Sequence, residues 1–349
     1  MIVFIPDINF ASVNRKRLFV LTRPFYLENA WGNQKKQREQ WGVSESFLYA
    51  SKIELADVYF IPLPINQYSK IELEAINILC DRYNICGYGY VSGDYGRDFG
   101  AFSKLTFFRM GGFKSQLSTS YKGFPVPLSD HYKRLYKTDT INLRTKQSLP
   151  VVGFCGHAHM GLKMRFKEIY KDFKENVSRV KDGFFRKDYE PLFASAYQRA
   201  KLLQALEADE EVATNFIYRT QYRAGALNIE ERERTTKEYY ENINQSDYVL
   251  CIRGAGNFSV RLYETLMMGR IPVFLNTDCM LPFEQQIDWK SYVVWVEWKD
   301  RYNLAQKIKN FHDALSVEDF KNLQYCNRSL WKNQLSVGGM LNIVSHYNN

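Results

Sequence analysis

Apolar and polar positions alternate along the chain in blocks. Residues 17–22 (RLFVLT) and 57–63 (DVYFIPL) are short apolar runs with the length of buried strands, and the polar stretch 33–51 between them has helical length and composition. A helix is expected over 69–83, strands over 85–91 and 104–110, and then the turn-rich KGFPVPLSDHY. Residues 138–148 are polar and show no periodic apolar face, after which PVVGFCG begins a new strand; this places a domain boundary between 1–148 and 149–349. The second half repeats the pattern, with strands at 151–155, 215–219, 248–252, 271–276 and 292–298 and helices from 162, over 229–244 and over 259–268. Repeated strand–helix units imply parallel sheets covered on both faces, so the expected class is α/β with two Rossmann-like domains facing across a cleft. The last helix packing back on the first domain is an open alternative within that scheme. Ligands of such sheets sit beyond the carboxyl ends of the strands.

Composition adds bounds. A chain of 349 residues, 45% hydrophobic and 15% aromatic, can bury two cores. The six cysteines form no CxxC pair and are too sparse for a disulfide scaffold, which favours reduced thiols and a cytoplasmic setting. MIVFIPDINF lacks a positively charged leader segment, and no window approaches the roughly 18 apolar residues of a membrane span. Lys and Arg exceed Asp and Glu by 47 to 38, a net charge of +9 that suits anionic partners. Nucleic acid is the weakest of these, because the basic residues are dispersed and no RNP, helix-turn-helix or zinc motif accompanies them.

The most informative stretch is YVLCIRGAGNFSVRLYETLMMGRIPVFLN, residues 248–276. A strand ending at Arg253 leads into the small turn GAGN, which is expected to expose backbone N–H groups, with Asn257 or Ser259 capping a helix that begins near Val260. A capped helix start concentrates N–H donors and positive dipole, the arrangement that binds phosphate. Arg261 in the first turn can offer diphosphate oxygens a fork of donors, and Glu264 one turn on can accept from sugar or ribose hydroxyls. The competing reading is an intrahelical Arg–Glu pair worth tenths of a kcal/mol. A cation in the first helical turn opposes the dipole, and a bound anion would offset that cost.

The run RGAGNFSVRLYETLMMGRIPVFL followed by LPFEQQIDW resembles the signature of the exostosin-type glycosyltransferases, glycosyltransferase family 47. ELADVYFIPLP is similar to that family's N-terminal strand pattern, and VVGFCG to its first C-terminal strand. The resemblance implies a GT-B fold, a nucleotide-sugar donor bound chiefly by the C-terminal domain and inversion of the anomeric centre. It assigns Arg261 and Glu264 to the donor and Arg253, Gly254, Gly256, Asn257 and Ser259 to the loop around it. The implied enzyme is a hexosyl- or pentosyltransferase moving a sugar from a UDP- or GDP-linked donor to a glycan or lipid-linked acceptor in polysaccharide or glycoconjugate synthesis.

No Asp-x-Asp is present, so neither metal nor other cofactor is expected, and leaving-group charge falls to protein: the helix start at Ser259, Arg261, Arg253, and the Arg219/Arg223 pair. Gly156 and His157 of GFCGHAHMG can add to the diphosphate site. Inversion needs a general base; Asp94 in VSGDYGRDFG is the preferred candidate, with Asp98, Asp130 and Glu28 as alternatives and ordinary turn chemistry as the competing reading. Departures from the family are the lack of a membrane anchor and of a second transferase, which point to a bacterial or viral relative in the cytoplasm, with a basic surface available for peripheral membrane contact. A catalytically silent partner subunit with the same fold is the alternative function.

Overall fold

The computed structural model describes residues 1–8, 18–25, 34–95, 97–182 and 188–346, apart from the side chains of residues 34, 36, 37, 182, 222 and 223. In chain order the elements begin with β1 (Ile2–Phe4), α1 (Gln34–Trp41), β2 (Leu48–Ala50), β3 (Val58–Phe60), α2 (Lys70–Arg82), β4 (Cys86–Val91), β5 (Leu105–Arg109), β6 (Tyr121–Gly123) and α3 (His131–Tyr136). They continue with β7 (Val151–His157), α4 (Leu162–Asp182), α5 (Ser195–Glu207), β8 (Ala213–Arg219), α6 (Ile229–Asn244), β9 (Tyr248–Cys251), α7 (Val260–Met267), β10 (Ile271–Asn276), β11 (Val294–Glu297), α8 (Leu304–Ala314), α9 (Val317–Leu330) and α10 (Val337–His346).

The chain divides into two units, Met1–Ser129 with Met280–Phe283 and Lys332–Asn349, and Asp130–Cys279 with Glu284–Trp331. The first holds a six-stranded sheet in the order β2-β1-β3-β4-β5-β6, and the second a five-stranded sheet in the order β11-β10-β9-β7-β8. Among the described residues every strand pair is parallel. The α/β class with two parallel sheets thus agrees with the periodicity.

The change of unit falls after Ser129, earlier than the expected boundary at residue 148. Residues 130–148 are tied to the second unit by side chains: Asp130 accepts from both Nη atoms of Arg328, Arg144 pairs with the buried Asp247, and Gln324 bonds the backbone of Arg144. A polar segment here reflects ion pairing rather than a linker.

The expected strand at 17–22 is also replaced. Its described part runs into a 3-10 helix over Val20–Phe25, in which Pro24 supplies no N–H for a sheet ladder and Thr22 Oγ1 turns back to donate to Phe19 O at 2.7 Å. Leu18, Phe19 and Leu21 are buried all the same, with Phe19 packed among Phe60, Tyr90, Phe108 and Phe124. The apolar run records burial, not extension.

In the second unit, β9 is buried at all four positions, as a central parallel strand must be. Its inward side chains join Val152, Phe154, Val273 and Val296 in one core. Strand order reverses at β7, which has β8 on one side and β9 on the other. The loops leaving the carboxyl ends of β7 and β9 therefore meet at the topological switch point of this sheet.

Candidate functional site

At that switch point stand the residues that close β7 and open α7. Arg261, in the first turn of α7, lays its guanidinium over the Phe154 ring at 4.2 Å and donates from Nη2 to Cys155 O at 2.9 Å. Gly156 is what admits it: a Cβ there would lie 2.8 Å from Arg261 Nη2. Arg199 reaches in from α5, donating to His157 O at 3.0 Å and to Arg253 O at 3.2 Å, and so fastens the ends of β7 and β9 together. Its pKa is lowered to about 10, first by burial and then by Arg261 beside it.

Among the described residues, neither Arg199 nor Arg261 has a carboxylate within ion-pair distance, and the Nε of each is fully buried without a hydrogen-bond partner. Glu168 acts on Arg199 from beyond ion-pair distance, but the two neighbouring guanidinium groups are bonded directly to carbonyls, and that of Arg261 also faces aromatic rings, a setting that an anion would suit. His157 at the end of β7 belongs to the same cluster. Burial first, then Arg199, holds its pKa below the ordinary imidazole value, and its buried Nε2 has no partner.

The other predicted arginines are placed differently. Arg219 donates to Thr235 O and to Glu238, both at 2.7 Å, which binds β8 to α6. Arg253 is buried, donates to Ala255 O at 2.8 Å, lies over the Phe193 ring at 4.7 Å and approaches Glu190 at 3.7 Å. Both therefore have carboxylate partners inside the protein. Arg223 lies in the short turn Tyr222–Gly225, and its side chain is outside the described residues.

The turn after β9 corrects two expectations. Gly254 N–H donates to Phe258 O, and Phe258 N–H to Gly256 O, so part of the turn's donor set closes the turn on itself. Ser259 occupies the N-cap position of α7, but its side chain makes no capping bond. Asn257 does not cap either: its Nδ2 donates to Thr277 O and Asp278 O at 2.9 and 3.0 Å, anchoring the turn to the loop after β10.

Glu264 does not form the intrahelical pair with Arg261. Its carboxylate accepts from Tyr239 Oη at 2.5 Å and Tyr240 Oη at 3.1 Å, both on α6. Burial and then Glu264 raise the pKa of both phenols, so they stay protonated donors. Tyr239 also faces Arg261, 5.8 Å from its ring centre, which places Arg261, Glu264 and Tyr239 in one cluster. Burial pushes the neighbouring Cys251 up to about 12, leaving an unreactive thiol.

In the first unit, Asp94 is exposed in the turn that follows β4, next to Gly93 at φ 94°. Asp98 supports the same loop by accepting from Tyr121 Oη at 2.9 Å and Gly100 N–H at 2.8 Å. Asp130, in the second unit, is committed to Arg328 and to capping α3. Glu28 lies outside the described residues. Among the described residues no cluster of three or more His, Cys, Asp or Glu side chains is placed to hold a metal ion.

Arg199, Tyr239 and Tyr240 were not legible as site residues. Arg199 sits 62 positions before Arg261 in AYQRAKLL, where it reads as one more basic residue on a helix.

Residues 174–310, which include β8 to β11, Arg199, Tyr239, Arg261 and Glu264 but not the β7 residues 154–157, match the family model of the Exostosin GT47 domain. This agrees with the resemblance carried by residues 253–289. A probable glucuronosyltransferase of Oryza sativa subsp. japonica is 40% identical over 81 residues, 23% of this chain and 18% of that protein. Exostosin-1 of Drosophila melanogaster is 37% identical over 101 residues, 29% of this chain and 13% of that protein. The chain thus matches under a fifth of the length of either relative. Among solved structures, Anabaena HepE in complex with UDP and glucose aligns over 99% of this chain and 98% of its own, at 9% identity and a TM-score of 0.36. A Staphylococcus aureus TarM mutant bound to UDP, fondaparinux and a GlcNAc-glycerol aligns over 84% and 55%, at 11% identity and a TM-score of 0.38.

Proposed function

We propose that the region matching the Exostosin GT47 model binds the diphosphate of a nucleotide-sugar donor and that the chain is an inverting glycosyltransferase acting in polysaccharide or glycoconjugate synthesis. The observation that carries this reading is the pair Arg199 and Arg261, two neighbouring cations at the switch point of a parallel sheet with no carboxylate within ion-pair distance among the described residues. Diphosphate oxygens would satisfy the guanidinium donors left over and offset the repulsion between the two groups. His157, kept neutral, adds a ring nitrogen at the same edge, and Glu264, which accepts from Tyr239 and Tyr240, is the carboxylate of this cluster that would face sugar or ribose hydroxyls.

Leaving-group charge is met here by arginine, and the reaction proceeds without a metal. Asp94 takes the proton of the acceptor hydroxyl as general base, and the acceptor is a glycan or a lipid-linked glycan reached from the cytoplasm. The test is a panel of UDP- and GDP-sugars offered to the full chain with EDTA present, following both nucleotide release and binding. Turnover that survives chelation supports the whole reading; a strict Mn²⁺ or Mg²⁺ requirement overturns the metal-free part. Donor binding without turnover on any acceptor tried would favour the silent partner subunit.

A further inference from the structure

The helix α4 is mounted with its polar side inward. Glu168 accepts from Ser195 Oγ at 3.0 Å and from Ala196 N–H, and Asp172 accepts from Phe193 N–H at 2.8 Å. Asn176 exchanges two hydrogen bonds with the backbone of Glu190, both 2.8 Å, and the buried Arg179 donates to Glu175 and Glu190 at 3.0 Å. These residues recur every three or four positions and so form one face of the helix.

The outer side carries the apolar residues. Projected at about 100° per residue, Leu162, Phe166, Tyr170, Phe173, Val177 and Val180 fall within an arc of roughly 80°. All six are exposed, Phe166 by 66%, Tyr170 by 64% and Phe173 by 55%. The stripe runs for about 27 Å at 1.5 Å per residue. Scattered single apolar residues on a surface need no explanation, but a continuous row of three aromatics and three aliphatics does.

Charge then identifies the partner. Lys163, Lys167, Lys171, Lys174 and Lys181 project along one flank of the stripe, and every exposed charged side chain described on α4 is basic. A second copy of the chain would set two lysine rows of like charge side by side. Nucleic acid would leave Leu162, Val177 and Val180 with nothing to stack on. An anionic lipid surface satisfies both features: rings and aliphatics enter the boundary between headgroups and acyl chains, while the lysines reach to the phosphates. With charges on the inner face and one flank, the helix lies along such a surface rather than across it.

We propose that the outer face of α4 is a membrane-docking surface for lipid bilayers rich in anionic headgroups. This stands apart from the donor-site reading, since none of its residues belongs to the Arg199–Arg261 cluster.

The test is flotation of the full chain with vesicles of phosphatidylcholine alone and with about 30% phosphatidylglycerol. The protein should float with the anionic vesicles and hardly at all with the neutral ones. The triple variant F166S/Y170S/F173S should lower partitioning by about tenfold or more, and K163Q/K167Q/K171Q/K174Q should lower it similarly and abolish its salt dependence. Because these side chains are exposed, both variants should keep the wild-type melting temperature, which separates loss of docking from loss of fold. Failure of the wild type to float, or equal flotation of the aromatic variant, overturns the proposal. So does a dimer in sedimentation velocity that the aromatic variant dissolves, because the stripe would then be a contact between copies.

Discussion

Replacing Arg261 by Met removes the charge while keeping a side chain of similar length over Phe154. The structure gives this residue one bond to Cys155 O, net about 1 kcal/mol, and two aromatic faces, of which the nearer, Phe154, is worth about 0.5–2 kcal/mol and Tyr239, at 5.8 Å, less. Loss of these contacts is partly offset by relief of its repulsion with Arg199 and by removal of a buried Nε without a partner. Arg261→Met should therefore lower stability by only about 1–2 kcal/mol. Its effect on nucleotide binding should be larger, since hydrogen bonds to charged groups contribute about 1.5–3 kcal/mol each, a factor of roughly 10 to 150 in Kd. Ligand-induced stabilisation reads this directly. With UDP or GDP at about 100 times the wild-type Kd, wild type should gain about 2.7 kcal/mol in chemical denaturation, and a variant binding 100-fold more weakly about 0.4 kcal/mol. Equal stabilisation of wild type and Arg261→Met by whichever nucleotide binds would refute the reasoning, and Arg261 would then be a structural clasp of β7.

Three further outcomes are expected. Asp94→Asn should leave nucleotide affinity nearly intact and reduce turnover by roughly 10²- to 10⁴-fold, measured by steady-state kinetics, whereas Asp98→Ala should cost about 1–3 kcal/mol of stability by removing the acceptor of Gly100 N–H and the shorter of the two acceptors of Tyr121 Oη. His131, stacked on Tyr240 with ring centres 4.7 Å apart, has its pKa lowered from 6.5 to about 4, by burial and then by Arg134. Its folded form resists protonation, so stability should be full above about pH 6.5 and fall between 6.5 and 4, by on the order of 1 kcal/mol given the ring's partial exposure; His131→Phe should flatten that part of the denaturation profile. Arg270→Met should destabilise the fold by about 3 kcal/mol or more, because the buried guanidinium donates to Asn142 O, Asn244 O and Gln324 Oε1, while UDP affinity of the folded fraction stays unchanged.

Sequence periodicity fared best where an element is long and packed on one side. The bounds read for α6 and β10 coincide with those observed, 229–244 and 271–276, and α2 gains a sharp start from the capping box of Ser69 and Glu72. Of the four three-residue strands, β1, β2 and β6 are too short to show a period, whereas β3 is buried throughout and lies inside the longer apolar run 57–63. Within the site, Arg261 was legible because a cation in the first turn of a helix conflicts with the dipole, and a local conflict is visible in a local pattern. Arg199 conflicts with nothing around it in the sequence. Its meaning comes from the carbonyls of His157 and Arg253, residues 42 and 54 positions away.

The same distinction decides the orientation of α4. Two rows share its sequence at helical spacing, an apolar row from Leu162 to Val180 and a polar row of Glu168, Asp172, Asn176 and Arg179, and either can be the inner one. The usual expectation, apolar inward, rests on the transfer of hydrocarbon out of water. It fails here because the partners lie in the loop and helix start around residues 190–196: the N–H groups of Phe193 and Ala196 and the peptide of Glu190 need acceptors and donors that the apolar row could not supply. Turning the helix over would bury those backbone groups without partners, at about 1–3 kcal/mol apiece, and would strand Arg253 beside a helix that no longer holds Glu190 in place. The polar row therefore faces the protein because the fold requires it, and the apolar row is left outward, where only a second surface can cover it.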